Sequence, residues 1–218
     1  MADEIKNENQ STFGVYTVFD GQYRGEWRDG SPNGKGVVLT DEDDVYKGTW
    51  VYGNLHGYGI ALHSDGGRYE GEWKNGVSHG LGMYTFADGS RYAGNWDSGR
   101  INGFGILFCP GSERKEGNWK DGKMEGTGRR VYKNGDVYEG NFKDGLQIGY
   151  GVLTCQNGDV YKGEFLYAKP HGIGVCVYAN GDRFEGEYVN GQRHGRGVFT
   201  AADGSVRRGI WEKGELVG

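Results

Sequence analysis

Proline is scarce, with 3 residues in 218, and so is cysteine, also with 3. No run of about 18 apolar residues occurs, so no helix is expected to span a membrane. The opening residues, MADEIKNENQ, are polar and acidic with no apolar stretch, and do not read as a secretory signal. The sequon Asn9-Gln10-Ser11 therefore carries no weight. No one sign of charge dominates. The 25 basic and 30 acidic side chains are interspersed and leave a net −5, which excludes a basic field for nucleic acid. Hydrophobic residues make up 35%, low for a closed globule. Catalytic motifs are missing too. There is no GxSxG or HExxH, and Gly34-Lys35-Gly36 lacks the spacing and the following Ser or Thr of a phosphate loop.

What is present is glycine, 44 residues, and aromatics at 14%. Both are periodic. A 23-residue unit restarts at Tyr23, Tyr46, Tyr69, Tyr92, Lys115, Tyr138, Tyr161 and Phe184, and a truncated copy opens at Arg207. A fixed period of this length marks a stacked array of one small supersecondary unit. Residues 1–12 read as a polar tail and 13–218 as the array.

Each unit carries two turn signals. One follows the aromatic pair, as in Asp29-Gly30 and Asn75-Gly76; the other ends the unit, as in Asp65-Gly66 and Asp88-Gly89. Asn-Gly and Asp-Gly favour two-residue hairpin turns because both positions need positive φ. The unit is therefore a β-hairpin continued by its neighbour. The predicted fold is all-β: an elongated, single-layer, twisted antiparallel ribbon of tandem hairpins.

Alternation along the strands sorts the faces. Tyr69, Gly71 and Trp73 point one way, Glu70 and Glu72 the other. If the end turn uses only Asp88 and Gly89, Met83 faces Gly94. The apolar series Val37, Ile60, Met83, Ile106, Val152, Val175 and Val198 then joins the aromatic face. Gly25 and its counterparts sit between the two aromatics and leave room for rings, while Gly34 and its counterparts allow a bend into the second strand.

The unit YEGEWKNG followed by HGLGMYTFADGSRY closely resembles the MORN repeat, over residues 15–214. The resemblance implies a ribbon of hairpins and a scaffolding, protein-binding role, in a family found in ciliary, cortical and membrane-junction proteins. Membrane binding is often attributed to the family. Departures occur at Lys115, which replaces the leading Tyr, and at Phe142, Phe165 and Tyr188, which replace Trp.

The candidate partner-binding groove is the aromatic face: Tyr23, Trp27, Tyr46, Trp50, Tyr69, Trp73, Tyr92, Trp96, Trp119, Tyr138, Phe142, Tyr161 and Phe165. A contiguous exposed apolar strip of this kind marks a binding surface for a peptide or helix. Arg114, Lys115, Lys120, Lys123, Arg129 and Arg130, with Lys133, form a candidate patch for anionic lipid or an acidic partner. Glu113, Glu116, Asp121, Glu125 and Asp136 interleave with it.

His56, His79, His171 and His194 share one repeat position. Neighbours in that series stand about 10 Å apart, too far to share a zinc ion. Glu70, Glu72, Glu139, Glu185 and Glu187 read as a solvated strand face. Cys109, Cys155 and Cys176 are too far apart for disulfides if each repeat adds two strands, about 10 Å. Free thiols suggest a reducing, cytoplasmic location.

At the carboxyl end no second strand is expected after Arg208, Gly209, Ile210 and Trp211. That bare edge is a candidate for homodimerisation or assembly. The reading is thus a non-enzymatic protein-binding scaffold without catalytic, cofactor or metal residues, in a cytoskeletal, ciliary or flagellar (axonemal) setting. The alternatives are a peripheral protein binding anionic phospholipid and a regulatory subunit of an enzyme.

Overall fold

A computed structural model of the chain describes residues 11–18 and 20–218. Residues 1–10 of the expected tail, and Phe19, lie outside the described residues. Among the described residues there are nineteen strands and no helix. The fold is all-β, an open antiparallel array of tandem hairpins not closed into a barrel. The chain divides into two compact units, Met1–Asn102 and Gly103–Gly218.

The first unit contains β1 (Thr12–Val18), β2 (Gly21–Arg28), β3 (Ser31–Thr40), β4 (Val45–Val51), β5 (Asn54–Leu62), β6 (Arg68–Lys74), β7 (Val77–Thr85) and β8 (Arg91–Asp97). Each pairs with the next in antiparallel order. β9 (Arg100–Phe108) runs across the boundary. The second unit continues with β10 (Arg114–Lys120), β11 (Lys123–Val131), β12 (Val137–Lys143), β13 (Leu146–Thr154) and β14 (Val160–Leu166). It ends with β15 (Lys169–Val177), β16 (Arg183–Val189), β17 (Gln192–Thr200), β18 (Val206–Glu212) and β19 (Glu215–Leu216).

The hairpin turn inside each repeat is as expected from Asp-Gly and Asn-Gly. Asp29 and Gly30 have φ of 49° and 73°, Asn75 and Gly76 of 51° and 80°. Both central residues are left-handed, as this two-residue turn requires. Tyr52-Gly53 and even Tyr167-Ala168 adopt the same turn, the latter with φ of 49° and 65° and no glycine.

The turn that ends each repeat is one residue longer than expected. Phe86 N–H donates to Ser90 O at 2.9 Å and Gly89 N–H to Phe86 O at 3.0 Å, enclosing Ala87, Asp88 and Gly89. This is the three-residue loop with a left-handed glycine. The register moves by one residue: Gly82 pairs with Gly94, Met83 with Ala93 and Tyr84 with Tyr92. A one-residue slip sends every side chain to the other face. Val37, Ile60, Met83, Ile106, Val152, Val175 and Val198 therefore lie opposite the rings, beside the charged positions. Ile60 pairs with Glu70, for example, and Val37 with Lys47. The aromatic face instead receives Val38, Ala61, Tyr84, Leu107, Leu153, Cys176 and Phe199.

β1 pairs with β2 from Thr12 opposite Trp27 to Val18 opposite Gly21, and Tyr16 stacks on Trp27 at 4.3 Å. At the other end the expectation of a bare strand fails. Lys213-Gly214 makes another left-handed turn, with φ of 49° and 92°. β19 then pairs Leu216 with Trp211, and Ile210 N–H donates to Gly218 O at 2.6 Å. Gly209, Ile210 and Trp211 are thus covered from within. Arg208 lies beyond the reach of β19.

Candidate functional site

The repeat's leading tyrosine sets the geometry of the aromatic face. The Tyr69 hydroxyl donates to Glu72 O on its own strand at 2.9 Å, so its ring lies over Gly71 and Gly82. A Cβ on Gly71 would meet Gly82 Cα at 2.4 Å. Tyr23, Tyr92, Tyr138 and Tyr161 make the same bond to Glu26, Asn95, Asn141 and Glu164. The glycines clear a shelf for the rings of Tyr23, Tyr69, Tyr138 and Tyr161, as the spacing implied, whereas Tyr46 donates its hydroxyl to Asp44 and Leu55 lies over Gly48 and Gly59 instead.

Against a leading ring the next repeat sets its own second ring, edge to face. In the first unit Tyr23 meets Trp50 at 5.7 Å and 78°, Tyr46 meets Trp73 at 6.1 Å and 83°, and Tyr69 meets Trp96 at 5.1 Å and 83°. In the second unit Tyr138 meets Phe165, Tyr161 meets Tyr188, and Phe184 meets Trp211, all near 5 Å. Edge-to-face contact matches the ring quadrupoles. The indole N–H adds a bond to the preceding repeat. Trp50, Trp96, Trp119 and Trp211 donate to the carbonyls of Gly36, Gly82, Gly105 and Gly197. Trp73 Nε1 is buried without a partner.

Of the candidate groove residues, Trp27 and Tyr46 are half-buried and the other eleven are buried, none above 9% exposed. Burial keeps the tyrosines neutral and pushes Tyr23, Tyr92 and Tyr138 up to about 12. A set of residues that sequence reasoning passed over completes the cover. Pro32, Leu55, Ser78, Met124, Gln147, Pro170 and Arg193 stand opposite the second aromatic of their repeats. They occupy a fixed place two residues after the hairpin turn, but their types vary, so composition gives them no signature.

Each unit has an open concavity on this face. In the first, a groove of about 460 Å³ runs over Trp27, Pro32, Val38, Tyr46, Trp50, Leu55 and Trp73, with Asp20, Thr40 and Asn54 at its margin. In the second, a hollow of about 560 Å³ is lined by Tyr178, Arg193, Phe199, Arg207 and Trp211, with Asp159 and Asp182. The Arg193 guanidinium lies 4.5 Å from the Trp211 ring and donates to Gly214 O at 2.7 Å.

The carboxylates are more than a solvated face. Past the paired glycines the hairpins bulge, as β6 and β7 do after Gly71, and the first glycine of each Gly-x-Gly turns left-handed, as Gly80 does at φ 61°. Glu72 Oε1 accepts the Leu81 N–H at 3.2 Å and closes that bulge, as Glu26, Glu164 and Glu187 do for Lys35, Ile173 and Arg196. Between repeats, Asp44 Oδ1 accepts the Ser64 N–H at 2.9 Å, and Oδ2 lies 3.0 Å from His63 Nδ1. These partners hold Asp44 down to about 2, the His63 bond contributing most. Asp136, Asp159 and Asp182 accept from Gln156, Ala179 and Ala202 in the same way.

The basic cluster is not assembled on one surface. Lys115 and Arg130 pair across strands on the ring face and share Glu113, at 3.6 and 2.7 Å. Arg114 and Arg129 lie on the opposite face, bridged to Glu116 and Glu139. Lys120 and Lys123 pair at the hairpin end, where Lys123 reaches Asp144 at 3.8 Å. Among the described residues no group of three or more His, Cys, Asp or Glu could hold a metal, and no helix is long and apolar enough to cross a membrane. The cysteines are unpaired, and burial pushes the Cys155 and Cys176 thiols up.

The MORN repeat matches residues 23–39, 46–68, 69–91, 92–113, 116–137, 138–160, 161–183 and 184–206. The chain belongs to the MORN-repeat family. No curated protein matches it. Among solved structures it is similar to the TCP10 domain of Danio rerio CPAP in complex with a STIL peptide. That match has 12% identity over 92% of this chain and 100% of that one, with a TM-score of 0.48. A second structure of that domain matches at 13% identity over 91% and 100%, TM-score 0.46. The SAS-4 TCP domain of Drosophila melanogaster, in complex with a proline-rich motif of Ana2, matches at 11% identity over 81% and 84%, TM-score 0.40.

Proposed function

We propose that this MORN-repeat chain is a non-enzymatic scaffold whose aromatic face binds a peptide or helix of a protein partner. The observation that carries the reading is the first unit's groove, which Trp27, Trp50 and Trp73 line together with Pro32, Val38 and Leu55. Ligand sites are concave and mainly apolar, with a few polar groups at the margin, and Asp20, Thr40 and Asn54 supply those. The buried rings act chiefly as the rigid floor, so contact falls to their edges and to the open wall. A cytoskeletal or ciliary assembly is the setting proposed for it.

The test blocks the groove without touching the ladder. Thr40→Arg and Asn54→Arg each place a long side chain at the margin. Proximity labelling in the native cell, with wild-type and both variants at equal abundance, is expected to show one set of neighbours lost in both. An unchanged set removes the proposal. Sedimentation with anionic vesicles distinguishes the reading from the phospholipid alternative, and co-purification of an enzyme whose activity changes on binding would favour the regulatory-subunit alternative.

A further inference from the structure

The one-residue register shift leaves the face opposite the rings with an unexpected character. Between the two strand glycines of each repeat stands an outward residue, and Tyr58 in that place is 61% exposed. Phe13, on β1, is 70% exposed on the same face. These two aromatics form the end walls of a hollow of about 540 Å³. Its floor is bare backbone at Gly36 and Gly48, which pair across β3 and β4.

Three cations line it: Arg24, Lys35 and Lys47, all exposed. Among the described residues none of the three is in an ion pair. Two carboxylates beside the hollow are committed elsewhere. Glu26 accepts the Lys35 backbone N–H at 3.0 Å, and Glu70 is bridged to Arg68 and accepts the Tyr58 hydroxyl. Counting Glu26 in full and leaving Glu70 to Arg68, three cations face one carboxylate, with Glu72 opposite Tyr58 at the end wall. The cationic character belongs to this place in the first unit. The repeat position held by Arg24 and Lys47 is taken next by Glu70 and Ala93.

We infer that this hollow is a second docking site, for an extended acidic peptide of a partner protein carrying aromatic anchors. Charge complementarity selects the acid, and the two aromatic walls over a glycine floor select flat apolar side chains. Spacing selects the conformation. Arg24 and Lys47 flank Val37 from the strands on either side of β3, about 10 Å apart. In a polyproline-II segment residues i and i+3 align about 9 Å apart, so acids at that interval meet both cations. The span from β1 to β5 is four strand spacings, about 19 Å, which six such residues cover. The site lies on the face opposite the proposed groove and stands independently of it.

The probe is a fluorescein-labelled peptide, Glu-Phe-Ala-Glu-Phe-Ala, with a Lys-Phe-Ala-Lys-Phe-Ala control, titrated by fluorescence anisotropy with the full chain. The acidic peptide is expected to bind and to weaken as salt rises, because its contacts are exposed charges. Lys47→Glu and Arg24→Glu should each weaken it about tenfold or more, while Lys74→Glu, outside the hollow, should not. Lys47→Ala, checked for an unchanged thermal melt, repeats the test should charge reversal perturb folding. The groove variants Thr40→Arg and Asn54→Arg should bind the peptide normally, so the two sites fail separately. Absence of binding at low salt, or binding insensitive to Lys47→Glu, overturns the inference. So does Lys47-dependent sedimentation with phosphatidylserine vesicles when the peptide itself does not bind.

Discussion

A Cβ placed on Gly82 would lie 2.3 Å from the hydroxyl of Tyr69, and 2.6 Å from its ring. The glycine is thus the seat of the tyrosine, and the ladder in that repeat depends on the fit. Gly82→Ala is expected to cost about 1–3 kcal/mol, as overpacking does. Adding Tyr69→Phe removes the nearest atom and should recover part of the loss. Chemical denaturation of the two variants checks this. A neutral Gly82→Ala would mean that the ring has another resting place.

The indoles offer an internal comparison. Trp50 donates to Gly36 O at 3.1 Å, whereas Trp73 Nε1 is buried without a partner. Replacing indole by phenyl removes a hydrogen bond at the first and an orphan donor at the second. Trp50→Phe should therefore destabilise more than Trp73→Phe, by about 1 kcal/mol. Equal losses in urea melts would show that packing volume alone decides.

High pH should unfold the protein along its tyrosines. Tyr23, Tyr92 and Tyr138 are held up to about 12 by burial, against a usual value near 10. The folded state favours the protonated phenol. The resulting stability is therefore complete below about pH 10 and is lost as pH rises through about 12. Phenolate absorbance and loss of the far-ultraviolet strand signal should appear together in that window. Buried-tyrosine ionisation that precedes any unfolding contradicts this.

Acid should act through Asp44, held at about 2 by His63, Ser64 and Tyr46. The folded state favours the carboxylate. Its contribution is present above the usual carboxylate value near 3.8 and fades as pH falls through about 2. Asp44→Asn should lower the melting temperature at pH 6, and the gap to wild type should shrink between pH 4 and pH 2. A constant gap would place its effect in shape, not charge.

The bulge staple gives a smaller effect. Glu72→Ala frees the Leu81 N–H, but Glu72 is exposed and water replaces it. A loss of about 0.5 kcal/mol is expected, the low end for one hydrogen bond. Glu72→Gln, which retains an acceptor, should recover most of it in the same melt.

The strands, the hairpin at Asn75-Gly76 and the glycine seat under Tyr69 were all legible from the 23-residue phase. The face of Met83 was not. It depended on whether Asp88-Gly89 closes a two-residue or a three-residue loop, and Asp-Gly is compatible with both. The missing residue also concealed the opposite face, and with it the hollow between Phe13 and Tyr58. β19 was hidden for a different reason: Glu215 and Leu216 are too few to show a period, and their pairing follows from the Lys213-Gly214 turn. The cover residues Leu55, Met124 and Gln147 share a place but not a chemistry, so only coordinates reveal them.

The indole bond from Trp50 to Gly36, repeated from Trp96 to Gly82, spans 14 residues and begins and ends on the same two places in the unit. Every joint between such repeats is thus cut to one gauge. Removing 23 residues, say 69–91, would bring Tyr92 against Leu62's repeat with every mating part still in phase. Removing a single residue from the loop at Asp88 would instead set the following strand wrong side out. Length in this array is free to vary, but only in whole repeats.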